Sequence, residues 1–448
     1  MFKKILVANR GEIALRVIRA CKEMGISTVA IYSECDASSP HVKFADEAVC
    51  VGPPDATRSY LNIPHVLSAA DITGADAIHP GYGFLAENRQ FARVTGDHDI
   101  TFIGPAPETL ATFGDKLTAK DAAREAGLPL VPGSKGEVKD VEEAIRVANE
   151  VGYPVMLKAA AGGGGKGMRV VENDDELRRV FEITATESLA AFSSGALFIE
   201  RFLRGPRHIE VQVAGDGRGN ARHFGERDCS LQRRNQKLVE EAPALGLSDK
   251  VRAGLREAAT GIVRSTNYNT VGTVEFLVEG DEFFFLEVNP RIQVEHPVTE
   301  EVTGVDLVKL QIRLAAGEGF DFEQEDVKLT GHAIECRINA EHPWKFTPSP
   351  GRITGFNMPG GPGVRIDCAV HEQAIVQPFY DSLIGKLIVH ANSREEAIIR
   401  MQSALSETIV EGVETSIPLH RELMSADFFA NLDFHTRYLE RWISERLG

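Results

Sequence analysis

The chain has 448 residues, of which 43% are apolar, 25% charged and 7% aromatic, a globular composition. At about 150 residues per domain that is roughly three domains. The formal charge of −16 argues against a general nucleic-acid binder, which must meet phosphates with positive surface, and no apolar run approaches a membrane span.

The opening MFKKILVANRGEIALR has a short apolar stretch and no small-residue cleavage site, so no secretory signal is expected. Lys4–Ala8 reads as a buried strand. Ile13, Ala14, Val17, Ile18, Cys21 and Met24 recur with helical spacing and predict a helix ending at Gly25. Thr28–Tyr32, Ala75–Ile78 and Ile100–Ile103 read as further strands. This alternation predicts a parallel, doubly wound sheet. The first strand–helix turn, Asn9-Arg10-Gly11-Glu12, lacks G-x-G-x-x-G, so a dinucleotide domain is not expected. Cys21, Cys35, Cys50, Cys229, Cys336 and Cys368 form no C-x-x-C and stand at irregular gaps. They predict neither a zinc site nor a disulfide framework, and the expected setting is reduced and cytoplasmic.

A middle region opens with a helix near Asp115–Ala126. Gly162, Gly163, Gly164 and Gly165 then leave backbone amides uncovered, flanked by Lys158 and Lys166. Gly167 follows Lys166, so this is not a Walker A loop. Met168–Val171 reads as a strand, so a phosphate-covering hairpin with Pro154–Lys158 is expected; an ordinary mobile hairpin is the bland alternative. In 207–237, Arg207, Arg218, Arg222, Arg227, Arg233, Arg234 and Lys237 outnumber Glu210, Asp216, Glu226 and Asp228 by three. Such an island of Lys and Arg is either an anion site or a basic surface patch.

Thr273–Val278 and Glu282–Val288 predict an antiparallel hairpin. A two-residue turn would set Glu275 opposite Leu286. A three-residue loop, Gly280 to Glu282, sets it opposite Glu287 and is the expectation. With Asn289 two positions on, two carboxylates and an amide oxygen would suit Mg²⁺. In Asn289–Pro297, Arg291, Gln293 and Glu295 alternate with Ile292, Val294 and His296. Read as an extended strand, the polar trio could hold and deprotonate a small acid; a solvated strand with an internal Arg–Glu pair is the alternative. The last region begins near Gly331. It holds short strands and a helix capped by Ser393, with Glu396 completing a capping box, on the apolar face Ala397, Ile398, Met401, Ala404 and Leu405.

Six segments resemble the motifs of the biotin carboxylases of the ATP-grasp superfamily and run in family order along essentially the whole chain. They are VANRGEIA (7–14), HPGYGFLAEN (79–88), AGGGGKGM (161–168), ERDCSLQRRNQK (226–237), EVNPRIQVEHPVTE (287–300) and GHAIECRINAE (331–341). The resemblance implies an α/β and α+β architecture. An N-terminal doubly wound pre-ATP-grasp domain (1–114) would precede an ATP-grasp domain (115–330, lid about 131–203) and a C-terminal biotin carboxylase domain (331–448). It implies ATP- and bicarbonate-dependent carboxylation of biotin through carboxyphosphate, with ATP and two Mg²⁺ or Mn²⁺ ions. Lys116, Lys158, Gly162–Gly167, Glu200, Arg201, Leu203, His208, Gln232, Asn235, Glu275, Leu277 and Glu287 would bind ATP. Glu275, Glu287 and Asn289 would hold metal. Lys237, Arg291, Gln293 and Val294 would bind bicarbonate, with Glu295 as base, and Tyr82 and Arg337 would lie at biotin. Arg291, Glu295, Lys237 and Arg337 form the implied catalytic set.

No Ala-Met-Lys-Met acceptor is present, so biotin is expected on a separate carboxyl carrier protein, with carboxyltransferase subunits as further partners and a homodimer as the assembly. The resemblance first implies acetyl-CoA carboxylase, making malonyl-CoA for fatty acid synthesis. Asn235, Lys166 and Pro290 stand where the stand-alone bacterial subunit usually has His, Arg and often Thr, and they resemble acyl-CoA and pyruvate carboxylases instead. The remote alternatives are an ATP-grasp amide ligase and a non-catalytic ATP-binding protein.

Overall fold

A computed structural model describes residues 1–159, 168–192 and 195–447. The expected loop Gly162–Gly167, with Lys166, lies outside the described residues.

The N-terminal unit is a five-stranded parallel sheet in the order Glu47–Gly52, Ser27–Ser33, Lys4–Val7, Ala77–His79, Thr101–Phe102. Alternation in the first strand explains the two layers. Ile5 and Val7 pack on Ile13, Val17 and Ile18 of helix Gly11–Glu23. Leu6 and Ala8 pack on Val66, Leu67 and Phe91 on the opposite face.

Val155–Ala159 lies between Met168–Val171 and Leu197–Arg201 in an antiparallel sheet, backed by helices Val141–Val151 and Asp174–Phe192. The predicted pairing of the strands flanking the glycine loop is present: Lys158 stands opposite Met168.

The largest element is an eight-stranded antiparallel sheet, ordered Glu282–Asn289, Val271–Glu279, Arg207–Gly215, Ala221–Arg233, Gln236–Ala242, His332–Asn339, Leu383–Ala391, Val364–Cys368. Residues 330/331 therefore separate two stretches of chain whose strands hydrogen-bond side by side. Strand Arg207–Gly215 is buried on both faces. Ile209, Val211 and Val213 meet helix Asp249–Ser265 and Val274, Phe276 and Leu255. His208, Glu210 and Gln212 point the other way and are also buried. One face of this sheet is thus an apolar core, and the other is polar yet closed to water.

Two expectations are corrected. The hairpin has a two-residue turn, since Glu279 pairs with Glu282. A bulge in strand Glu282–Asn289, with Phe276 opposite Phe285 and Glu275 opposite Glu287, leaves Leu286 as the extra residue. The bulge, not a longer loop, brings the carboxylates together. Residues 290–295 are not a strand: helix His296–Thr303 follows directly, with Glu295 as its N-cap residue at φ −82°. Pro297 suits the first helical turn, where a missing N–H costs nothing. At helix Arg394–Glu407, Ser393 caps as expected, accepting from the Glu396 N–H at 3.3 Å, but the Glu396 carboxylate reaches Asn392 rather than Ser393.

Candidate active site

The register of the large sheet assembles the site. Glu287, Glu275, Glu210 and Arg227 stand opposite one another across four neighbouring strands. Glu240 faces Glu335 across the next pairing but one, and Arg337 faces Lys386. Cross-strand side chains on one face lie in contact, so charges far apart in sequence form one continuous row.

Lys237 is central. Its ammonium donates to Glu275 (2.9 Å), to Glu295 (2.8 Å) and to Glu210. Burial works against its charge, but Glu210, Glu275 and Glu295 override burial and hold its pKa well above the usual lysine value. Glu295 uses its other oxygen on Arg337 Nη2 at 2.9 Å, and Arg337 Nε donates to Glu240 at 2.6 Å. Burial raises the Glu295 carboxyl; Lys237, ahead of Arg337, outweighs it, so the pKa falls below the ordinary value. Glu240 is pushed by burial up to about 7 against the pull of Arg337. His208 lies 2.9 Å from Glu275 and 3.2 Å from Glu210. Burial disfavours its cation, yet Glu275 raises it to about 9.

The turn 290–295 hangs over this row. Gln293 donates to Glu275 at 2.8 Å and accepts from Arg227 at 2.5 Å. Arg227 is fully buried and is also held by Glu210, Gln212, Thr273 and Thr299. Arg291 is tied to Glu87 (3.2 Å) and Asn289 (2.9 Å). Tyr82 donates its hydroxyl to Glu12.

For a divalent ion, Glu275, Glu287 and Asn289 supply two carboxylates and an amide, the hard-oxygen set Mg²⁺ takes. The Asn289 amide joins them, its nitrogen 2.7 Å from Glu275 and 3.5 Å from Glu287. Burial and the neighbouring Glu275 raise the Glu287 carboxyl, whereas Lys237 and then His208 override burial and hold Glu275 down, so Glu287 is the less compensated of the two. The donor set fits.

Other residues named from sequence are placed as follows. Glu200 accepts from Lys158 and, at 2.6 Å, from Lys120, a lysine the sequence did not single out. Arg201 pairs with Glu282 at 2.9 Å; Leu203 is buried, and Leu277 stands opposite His208. Gln232 lies 3.4 Å from His208. Lys116 opens helix Lys116–Glu125 and is exposed. Asn235 is exposed in the two-residue turn between Arg233 and Gln236, at φ +66° beside Arg234 at +46°. A mirror-image hairpin turn needs positive φ at both positions, and asparagine tolerates it well.

The expected island of Lys and Arg is not what forms. Arg207 pairs with Asp228, Arg222 with Glu323 and Arg227 with Glu210. The site is a dense mixture in which carboxylates are as prominent as cations.

Family models match along the chain: the biotin carboxylase N-terminal domain at residues 1–110, the carbamoyl-phosphate synthase L chain ATP-binding domain at 115–322, and the biotin carboxylase C-terminal domain at 335–441. The biotin carboxylase of Pseudomonas aeruginosa is 52% identical over 442 residues, covering 98% of each chain. This chain belongs to the biotin carboxylase family. A pyruvate carboxylase subunit of Methanothermobacter thermautotrophicus is 50% identical, over 99% of this chain and 90% of its own. Among solved structures, the biotin carboxylase domain dimer of Hydrogenobacter thermophilus 2-oxoglutarate carboxylase, in complex with MgADP, ADP and bicarbonate, superposes with TM-score 0.89. It is 52% identical, and 98% of each chain is covered.

As a biotin carboxylase the protein is an ATP-dependent ligase that uses ATP, Mg²⁺ and biotin. Biotin carboxylases act with carrier and carboxyltransferase partners. Among the described residues, no helix is long and apolar enough to cross a membrane.

Proposed function

We propose that this biotin carboxylase is the subunit of an acetyl-CoA carboxylase that carboxylates biotin on a separate carrier protein, working as a cytoplasmic homodimer. The observation that carries the chemical reading is Glu295, a buried carboxylate with one oxygen on Lys237 and the other on Arg337. It joins a small-acid subsite to a fixed guanidinium in one contact chain.

In this reading Lys237, Arg291, Gln293 and the Val294 backbone hold bicarbonate, and Glu295 takes its proton. The bicarbonate oxygen then bonds to the γ-phosphorus of ATP as the bond to ADP breaks, giving carboxyphosphate. Lys116, Lys158 and the loop Gly162–Gly167 with Lys166 attend the phosphates. Glu200, Arg201, Leu203, His208, Gln232, Asn235 and Leu277 form the nucleotide subsite. Glu275, Glu287 and Asn289 would hold Mg²⁺ or Mn²⁺, which neutralises charge on the transferring phosphoryl group. Beside Tyr82, Arg337 stabilises the enolate-like ureido anion of biotin, a task for an always-charged planar cation. We assign residues 1–114, 115–330 and 331–448 as the pre-ATP-grasp, ATP-grasp and C-terminal domains.

A carboxylase of another acceptor is the second reading, favoured by Lys166, Asn235 and Pro290. Co-purification of the carboxyltransferase partner separates the two. The chemistry is tested by ATP cleavage in the presence of bicarbonate, with and without free biotin. Stimulation by biotin supports carboxylation. An amine requirement would indicate an amide ligase, and nucleotide binding without turnover a regulatory protein.

A further inference from the structure

Lys386 lies mid-strand in Leu383–Ala391 with its side chain wholly buried. Its cross-strand neighbours are Arg337 on one side and Asp367 on the other. Burying an ammonium beside a guanidinium is costly unless anions and acceptors meet it. Three groups do. The Val294 carbonyl accepts from its Nζ at 2.7 Å, Glu12 Oε1 is 3.2 Å away, and Asp367 lies at 3.8 Å, itself held by Arg365 at 2.8 Å.

The Val294 carbonyl belongs to the peptide joining Val294 to Glu295. The preceding carbonyl, on Gln293, accepts from the His296 ring at 2.7 Å. Two successive peptide planes of the turn are therefore pinned, one by helix His296–Thr303 and one by Lys386. The Glu12 oxygen that faces Lys386 also accepts the Tyr82 hydroxyl, while the other Glu12 oxygen has no partner among the described residues. One buried cation thus touches the turn carrying Gln293 and Glu295 and, through Glu12, reaches Tyr82.

We propose that Lys386 is a positioning residue that sets the bicarbonate turn through the Val294 carbonyl and Tyr82 through Glu12, coupling the bicarbonate and biotin subsites. This rests on the subsite assignment made above. Lys386 is in neither assigned subsite and its contacts are with Val294, Glu12 and Asp367, so its effect falls on geometry. A misplacement of about 1 Å in such a turn costs up to about 100-fold in rate.

The test compares the wild-type enzyme with Lys386→Met and with the double variant Lys386→Met/Glu12→Gln, which removes both charges and leaves neither partner as a buried lone ion. The readouts are KM for bicarbonate, KM for ATP and the biotin-dependent rate. We expect bicarbonate KM to rise and the biotin-dependent rate to fall, each by about 10-fold or more, with ATP KM within about 2-fold. A folded variant with wild-type bicarbonate KM and biotin-dependent rate overturns the proposal. So does an equal rise in both KM values, which marks a merely structural lysine, and so does failure of both variants to fold. A wild-type enzyme without biotin-dependent turnover would overturn the subsite assignment instead.

Discussion

Glu295 has no spare oxygen: Lys237 takes one at 2.8 Å and Arg337 the other at 2.9 Å. A buried carboxyl so held stays ionised at neutral pH, the protonation state a base needs. Arg337 serves the same carboxylate and Glu240, so its removal separates two roles. We expect Arg337→Ala to lower biotin carboxylation about 10²–10³-fold while slow biotin-independent ATP cleavage falls less than about 10-fold, measured as label transfer and as ADP release. Equal loss of both would remove Arg337 from the biotin step. At this scale the sequence was legible where spacing carries geometry, as in Glu287 and Asn289 two apart on one strand. It was not legible for Glu210 and Lys386. Charged residues alternating with apolar ones read as a wet sheet face, and only the tertiary structure makes that face dry.

Between elements, the same ambiguity explains the misread turn. Polar–apolar alternation in 291–296 is compatible with a strand, and Pro297 fits an extended chain or a first helical turn equally well. Packing goes with the helix: Val298 and Val302, about one turn apart in His296–Thr303, bury against Ala333 and Ile388 of the large sheet. A second helix is docked by charge. Arg394, at the start of helix Arg394–Glu407, holds Glu241 at 2.6 and 3.0 Å, and His332 shares that carboxylate at 2.9 Å. Burial raises Glu241, but His332 and Arg394 hold it down to about 2. Arg394→Met should cost about 3 kcal/mol in urea unfolding at pH 7 with KM values unchanged. Glu241 stabilises the fold above its ordinary carboxylate range and stops doing so as pH falls toward 2, so the gap between variant and wild type should narrow over that window. A midpoint unmoved at pH 7 would contradict the docking role.

For the whole molecule, length arithmetic gives a fair number of regions, but it conceals that strands Gln236–Ala242 and His332–Asn339 join two of them in one sheet. The two tryptophans, Trp344 and Trp442, both pack on the C-terminal core, 6.4 Å apart. Their fluorescence reports that core alone. Because the sheet is continuous, MgADP should raise the tryptophan unfolding midpoint, by about 2.7 kcal/mol in stability at 100 times its Kd. A transition unmoved by saturating MgADP would mean that the two halves of the sheet unfold separately. The net charge of −16 is not confined to the exterior, since 13 acids but only four lysines and arginines are buried among the described residues. The interior is a lattice of lysine, arginine and carboxylates in which the carboxylates outnumber the cations.

The role of Glu295 is decided by transfer of labelled bicarbonate to free biotin, comparing the wild-type enzyme with Glu295→Gln in MgATP and measuring nucleotide binding in parallel. The wild type should fix label only when ATP and biotin are both present, and Glu295→Gln should lose about 10²–10⁴-fold in rate while binding nucleotide normally. Near-normal label transfer by Glu295→Gln would contradict the assignment of Glu295 as the base.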